Sequence, residues 1–238
     1  MNLFSLIPAS LKEKIRLRLG AITTRSRLAN LKRAGFAPRL IIDTGAFHGE
    51  WATLAREIFP SADLLLIEPQ PHLAPQLTAL CAKIGRASLQ SVLLGRVSAE
   101  ATFVIAASNS RITTPDYQPT SSESVVTLPI RPLAAVATSA GFQNCDFLKL
   151  DLQGHELEAL AGAGELFGRA EVILIEISWI PIGGTPLLAE VIDAFTAKGY
   201  RAYDIFGHNH RPRDGALWQT DIIFVRHDSP LIASSDWS

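Results

Sequence analysis

The sequence predicts an α/β fold, a mostly parallel, doubly wound sheet with helices on both faces. Three observations predict it. Short apolar runs rich in Ile, Leu and Val alternate with helical stretches from Leu40 onward, the pattern left by a parallel sheet with crossover helices. The first run, Leu40-Ile41-Ile42, ends on Asp43 and enters the turn Thr44-Gly45-Ala46-Phe47-His48-Gly49. The second, Leu64-Leu65-Leu66-Ile67, ends on Glu68-Pro69. Open α/β sheets bind ligands outside the carboxyl ends of their strands, so both acidic residues are expected at the ligand edge.

Residues 1–37 read as a basic helical segment and 38–238 as one sheet domain. In the first, Leu11, Ile15, Leu19 and Ile22 recur every three or four residues, which gives two helices broken near 20–24. Eight Lys and Arg stand there, with Arg39 a ninth just beyond, against the single acid Glu13. Such a segment can cap its own sheet, the expected role, and it also permits peripheral contact with an anionic membrane. Pro38 precedes the first strand, 39–43, and a helix follows at 49–59. The second strand, 63–68, leads to a helix over 72–84 and a third strand over 87–93. An extra strand or hairpin is expected at 101–106. Residues 107–124 turn to Ser, Thr, Asn and Pro, a surface loop that suits a lid. The rest reads as a β-rich 124–128, a helical 134–140, a buried strand at 147–151 opening a helix at 154 or 155, a strand at 171–177, a helix at 186–198 ended by Gly199, and strands at 200–205 and 221–225. Two late strands after the last helix suit the methyltransferase variant of the doubly wound sheet.

With 238 residues, 47% hydrophobic and 19% charged, the chain can bury one domain core. Its net charge of -1 gives no reason to invoke nucleic acid. Cys81 and Cys145 form no C-x-x-C pair and read as reduced core residues. No apolar run reaches about 18 residues and no signal-peptide pattern opens the chain, so a cytoplasmic location is expected.

The glycine turn decides which nucleoside cofactor fits. Gly45 and Gly49 bracket three residues, and no glycine occupies the middle position that seats a pyrophosphate in a dinucleotide fingerprint. S-adenosylmethionine carries a sulfonium and an amino group, which favour carboxylates and carbonyls. The donor-binding candidates from the residues alone are Asp43, Gly45, Gly49, the helix start near His48, and Glu68-Pro69, whose carboxylate could accept both ribose hydroxyls. Packing glycines in an ordinary strand-turn-helix are the plainer alternative.

A second cluster is Lys149-Leu150-Asp151-Leu152-Gln153-Gly154-His155-Glu156. Asp151 leaves a strand at the ligand edge, and His155 and Glu156 open the next helix. A weakly nucleophilic hydroxyl calls for a base or an orienting charge, and His155 is the first candidate base, with Asp151 second. Asp151 and Glu156 would also suit a helix N-terminus without chemistry. Trp179 could stack on a sugar ring or simply pack. His208-Asn209-His210, with Asp204 and Asp214, has metal-ligand residue types but reads as a solvated loop.

Ile42-Asp43-Thr44-Gly45-Ala46, Glu68-Pro69 and Leu148-Lys149-Leu150-Asp151-Leu152-Gln153-Gly154-His155-Glu156-Leu157, in this order, resemble the FkbM family of S-adenosylmethionine-dependent O-methyltransferases over about 40–225. The resemblance implies a Rossmann-like class I methyltransferase fold and methylation of a hydroxyl on a sugar, glycan or natural product. It implies that Asp43, Gly45, Ala46 and Gly49 form the donor loop, that Glu68 holds the ribose, and that Asp151 and Glu156 lie on the acceptor side. Ser108, Asn109 and Ser110 resemble the family's polar segment after the extra strand, which contacts donor or acceptor. Three positions depart from the pattern. Phe47 stands where Asn is usual, Arg131-Pro132 replaces a frequent acid, and Gln153 replaces a frequent Glu, so a divalent metal is not supported. These departures motivate an alternative of another class, a module that binds the donor without chemistry, with a nicotinamide-dependent oxidoreductase third. The expected partner is a hydroxyl-bearing small molecule or glycan, and the oligomeric state is left open.

Overall fold

The computed structural model describes residues 22–181 and 185–234. The first of the two expected N-terminal helices lies outside the described residues. The second is helix α1 (Thr24–Arg33). Its start is fixed reciprocally: Thr23 Oγ1 accepts from the Ser26 N–H at 3.1 Å, and Ser26 Oγ accepts from the Thr23 N–H at 2.9 Å. The helix buries Leu28 and Leu31 and is tied down by Arg25 to Glu57 (2.7 Å) and Arg27 to Asp204 (3.0 Å). The described part of the basic segment therefore packs on the domain.

The main sheet contains β1 (Leu40–Thr44), β2 (Asp63–Ile67), β3 (Ala87–Gln90), β8 (Phe147–Leu150), β9 (Val172–Ser178), β10 (Tyr200–His210) and β11 (Leu217–Arg226). Their order is β10-β11-β9-β8-β1-β2-β3. All neighbours pair in parallel except β11, which runs antiparallel to β9 and to β10. Central β1 is buried along all five residues, as expected where helices cover both faces. Period-two alternation divides the core. Ile42, Leu65, Leu148 and Ile173 face α4 (Leu133–Ser139), α5 (Glu156–Ala161) and α7 (Leu188–Ala197). Ile41, Leu64, Phe147 and Leu174 face α1, α2 (Glu50–Ile58) and α3 (Ala74–Ile84). A kinked four-residue turn, α6 (Leu166–Arg169), precedes β9. Cys81 and Cys145 are free and buried, one on each side of the sheet.

Between β3 and α4 lies an insertion that the apolar pattern only partly predicts. The expected strand 87–93 is two strands, because β3 is the edge of the main sheet and ends at Gln90. Leu93–Leu94 is β4 of a separate sheet, completed by β5 (Ala99–Ile105), β6 (Arg111–Thr113) and β7 (Ser124–Arg131) in the order β4-β7-β5-β6. The single extra strand is thus one of four, and the polar 107–124 loop contains β6. The late hairpin is longer than expected, since β10 and β11 pair out to His210 and Leu217. His208, Asn209 and His210 are therefore exposed strand residues, while Asp204 and Asp214 pair with Arg27 and Arg211.

Candidate active site

A cavity of about 340 Å³ opens at the carboxyl edge of β1, β2, β8 and β9, beneath the inserted sheet. One end is made by the loops after β1 and β2. Glu68 is nearly fully buried and braced by two backbone donors: the Phe47 N–H reaches Oε2 at 2.8 Å and the Gln70 N–H reaches Oε1 at 3.0 Å. Burial pushes its pKa up, and those amides, Gln70 first, oppose the shift. Each oxygen accepts one amide and keeps a further lone pair. Apolar Val92, Leu93, Leu94 and Phe103 also line the cavity.

The glycine turn is built differently from the expectation. The Gly45 and Ala46 N–H groups both donate to the Ile67 carbonyl, at 2.9 and 3.2 Å, and the Phe47 N–H is taken by Glu68. Those three amides stitch β1 to β2 and are not aimed at a ligand, so the turn offers backbone surface and carbonyls. That is the opposite of an anion-binding nest. Gly49, with φ of +81°, caps α2, and a Cβ there would lie 2.1 Å from Leu80 Cδ2. Its glycine is required by packing against α3. His48 exposes its side chain, and its carbonyl accepts from Gln76 at 3.3 Å.

Asp43 is completely buried beneath this turn. Lys149 Nζ meets its Oδ1 at 3.0 Å, meets Asp151 Oδ2 at 3.5 Å, and donates to the Gly45 carbonyl at 3.2 Å. Burial works against the ammonium, but Asp43 and Asp151 outweigh it and raise the Lys149 pKa. Lys149 therefore joins the turn after β1 to the one after β8, and Asp43 acts on the site through it.

The other end of the cavity is acidic and amide-rich. Gln153 Nε2 donates to Asp151 Oδ1 at 2.9 Å and to Glu176 Oε2 at 3.3 Å, and Gln219 Nε2 reaches the same Glu176 oxygen at 3.0 Å. Burial first, and then Asp151 and Asp221, push Glu176 up to about 8. Asp221 rises to about 7 through burial and Asp151. His155 lines the cavity half-buried, and that burial lowers its pKa, leaving a neutral imidazole at neutral pH. Glu156, fully buried, accepts from the Leu152 N–H at 2.8 Å and the Gly154 N–H at 3.1 Å. Its pKa rises to about 7 by burial, against those amides. It holds the turn in which Gln153 and Gly154 take positive φ.

Of the residues expected at the site, Gly45, Glu68, Pro69, Ser108, Asn109, Asp151 and His155 line the cavity. Asp43, Ala46, His48, Gly49, Glu156 and Trp179 do not. Asp43 and Glu156 stand behind the wall, as just described. The Trp179 Nε1–H donates to Thr220 Oγ1 at 3.0 Å, and the indole in the wall is that of Trp218 on the neighbouring strand. Glu176 and Lys149 carried a signal in the sequence, a lone charge in an otherwise apolar buried strand. Gln70, Trp218 and Gln219 carried none. Among the described residues no group of His, Cys, Asp or Glu side chains is arranged to hold a metal ion, and no helix is long and apolar enough to cross a membrane.

Comparison with known proteins agrees with this architecture. No curated protein matches the chain. Among solved structures, methyltransferase FkbM from Methylobacillus flagellatus KT is similar at a TM-score of 0.50 and 17% identity, over 77% of this chain and 43% of that one. This chain thus spans less than half of that relative's length. Precorrin-6y C5,15-methyltransferase from Geobacter metallireducens GS-15 gives 0.48 and 10% identity over 85% and 87% of the two chains. The Burkholderia thailandensis 1,6-didemethyltoxoflavin-N1-methyltransferase, solved with S-adenosylhomocysteine, gives 0.47 and 11% over 86% and 78%. At 17% identity the likeness to the first of these speaks for the fold, that of class I methyltransferases, and for no substrate. The model of the Methyltransferase FkbM domain matches residues 43–202. That match takes in the turn after β1, Glu68, the inserted sheet, the Asp151–Glu156 turn and Glu176, and on it the chain belongs to the FkbM methyltransferase family.

Proposed function

We propose that the protein is an S-adenosylmethionine-dependent O-methyltransferase acting on a hydroxyl of a sugar or glycan. The observation that carries this reading is a cavity with a nucleoside-type end, where Glu68 is braced by two backbone amides, and an acidic end, whose lining includes a neutral His155 and Asp151. The residues fit the donor. Glu68 keeps lone pairs for two ribose hydroxyls, the apolar wall suits an adenine, and the turn after β1 lacks the free amides that a pyrophosphate would need.

When bound, S-adenosylmethionine supplies a methyl group activated by its sulfonium. The chain's own contribution is alignment, exclusion of water and removal of a proton. His155 Nε2 is the proton acceptor in this reading, and Asp151 orients the acceptor hydroxyl. The Lys149 bridge keeps the two loops at fixed separation. Calorimetric titration with S-adenosylmethionine and S-adenosylhomocysteine, with NAD as control, tests the donor, and methyl transfer from labelled donor to a panel of glycosides tests the acceptor. Preference for NAD would sink the donor assignment. Donor binding without turnover on any hydroxyl would favour a module that binds without chemistry.

A further inference from the structure

The acceptor end of the cavity has a marked charge inventory. Among the described residues lining the whole cavity none is Lys or Arg, and besides Glu68 at the donor end its acidic residues, Asp151 and Glu176, stand here. The nearby Lys149 ammonium lies behind Asp151, engaged by Asp43, by Asp151 itself and by backbone carbonyls. An anionic group entering this space would lose its hydration and find no unengaged cation among the described lining residues, in a setting where burial weakens solvent screening.

Glu176 is also positioned more firmly than a bystander in a strand. Its Oε2 is clamped by two amides from different elements, Gln153 in the turn after β8 and Gln219 on β11, while among the described residues no donor reaches Oε1. Gln153 carries particular weight. Its single –NH2 group bridges Asp151 and Glu176, so it separates two carboxylates where a Glu at this position would add a third. The same wall holds Trp218, whose Nε1–H is buried without an acceptor among the described residues. An indole wall next to alternating amide and carboxyl groups matches a polyhydroxylated ring, which offers an apolar face and a fringe of hydroxyls.

We infer that Glu176, held by Gln153 and Gln219, is the acceptor-recognising carboxyl, and that this cluster restricts the acceptor to a sugar ring that is uncharged or cationic at the end entering the cavity. Uronates and sugar phosphates are excluded. The inference rests on the O-methyltransferase reading and narrows its substrate class.

The test is a tryptophan-fluorescence titration of the full chain, with and without S-adenosylhomocysteine, using D-glucose, D-glucosamine, D-glucuronate and glucose 6-phosphate. Trp218→Phe identifies the reporting indole. Glucose and glucosamine should bind at least about tenfold more tightly than the two anions, the scale of one charge-assisted contact. Glu176→Ala should weaken glucose binding by a similar factor while leaving S-adenosylhomocysteine affinity unchanged. Gln153→Arg, which can still bridge both carboxylates and adds a cation, should bring glucuronate to within about threefold of glucose. Anions that bind as well as glucose, a silent response to all four probes, or glucose binding untouched by Glu176→Ala would each overturn the inference. Absence of S-adenosylhomocysteine binding in the wild type would instead defeat the donor reading, and it is scored separately.

Discussion

A Cβ added to Gly45 would stand 1.8 Å from the backbone carbonyl oxygen of Asp151. The turn after β1 and the turn after β8 therefore touch backbone to backbone, at the one place where donor and acceptor ends of the cavity meet. No side chain fits between them. Gly45 also holds φ of +72°, a conformation that residues with a Cβ adopt at a cost.

Gly45→Ala is accordingly expected to force the two turns apart. A loss of about 2 to 4 kcal/mol of stability and a drop of at least about tenfold in S-adenosylhomocysteine affinity should appear in denaturant melts and calorimetry. Wild-type values in both would mean that the turns adjust freely and that their contact has no role.

Glu68→Ala removes the carboxylate assigned to the ribose. Hydrogen bonds to a charged acceptor contribute about 1.5 to 3 kcal/mol, so donor affinity should fall roughly ten- to a hundredfold. Unchanged binding would refute the ribose assignment. Because the Phe47 and Gln70 amides lose their acceptor as well, the conservative Glu68→Gln should retain more of the fold than of the affinity.

His155 yields a pH prediction. Burial lowers its pKa below the usual histidine value, so the neutral, proton-accepting form prevails at neutral pH and is lost as pH falls through that lowered value. The acid limb of kcat/KM should lie below about 6.5, the ordinary imidazole range. His155→Gln should abolish that limb and reduce kcat by about 10² to 10⁴, with donor affinity intact. An acid limb that survives in the variant would assign the proton to another group.

Lys149 and Asp43 are coupled by the 3.0 Å contact. Lys149→Met leaves the completely buried Asp43 carboxylate without a counter-ion, at a cost of about 3 to 5 kcal/mol. Adding Asp43→Asn should recover most of that loss. Simple additivity of the two single losses in a double-mutant cycle would show that the pair does not act as a unit.

Much of this molecule was legible in the sequence because apolar periodicity is a local signal. Leu40-Ile41-Ile42 and Phe147-Leu148 mark buried parallel strands wherever they fall, and the acids that follow them must then lie at the same edge. What escaped was set by register between distant segments. Trp179, just past the end of β9, and Trp218 on β11 are neighbours, with the Trp179 N–H donating to the Trp218 carbonyl at 2.8 Å, and only the pairing of β9 with β11 decides which indole meets the cavity. Gly49 looked like a ligand glycine because its neighbour in space, Leu80, is 31 positions away. The break between Gln90 and Leu93 could not be read from composition, since Leu89 on one side and Val92, Leu93 and Leu94 on the other read as one strand, and their separation follows from β3 being the last strand of its sheet.

The inserted sheet has a consequence for how this scaffold diversifies. It leaves the domain just after β3 and returns just before α4, so its anchors are the edge strand of the main sheet and a helix packed on that sheet. Ser110, deep in the insert, stands 3.1 Å from the Gln70 side chain and pins its inner rim to the turn after Glu68. The outer stretch between β6 and β7 is bound chiefly to itself, through Tyr117, Thr120 and Glu123. The roof of the cavity is thus a cassette, fastened at its base and along one rim, whose far end can be exchanged without retooling the machinery underneath.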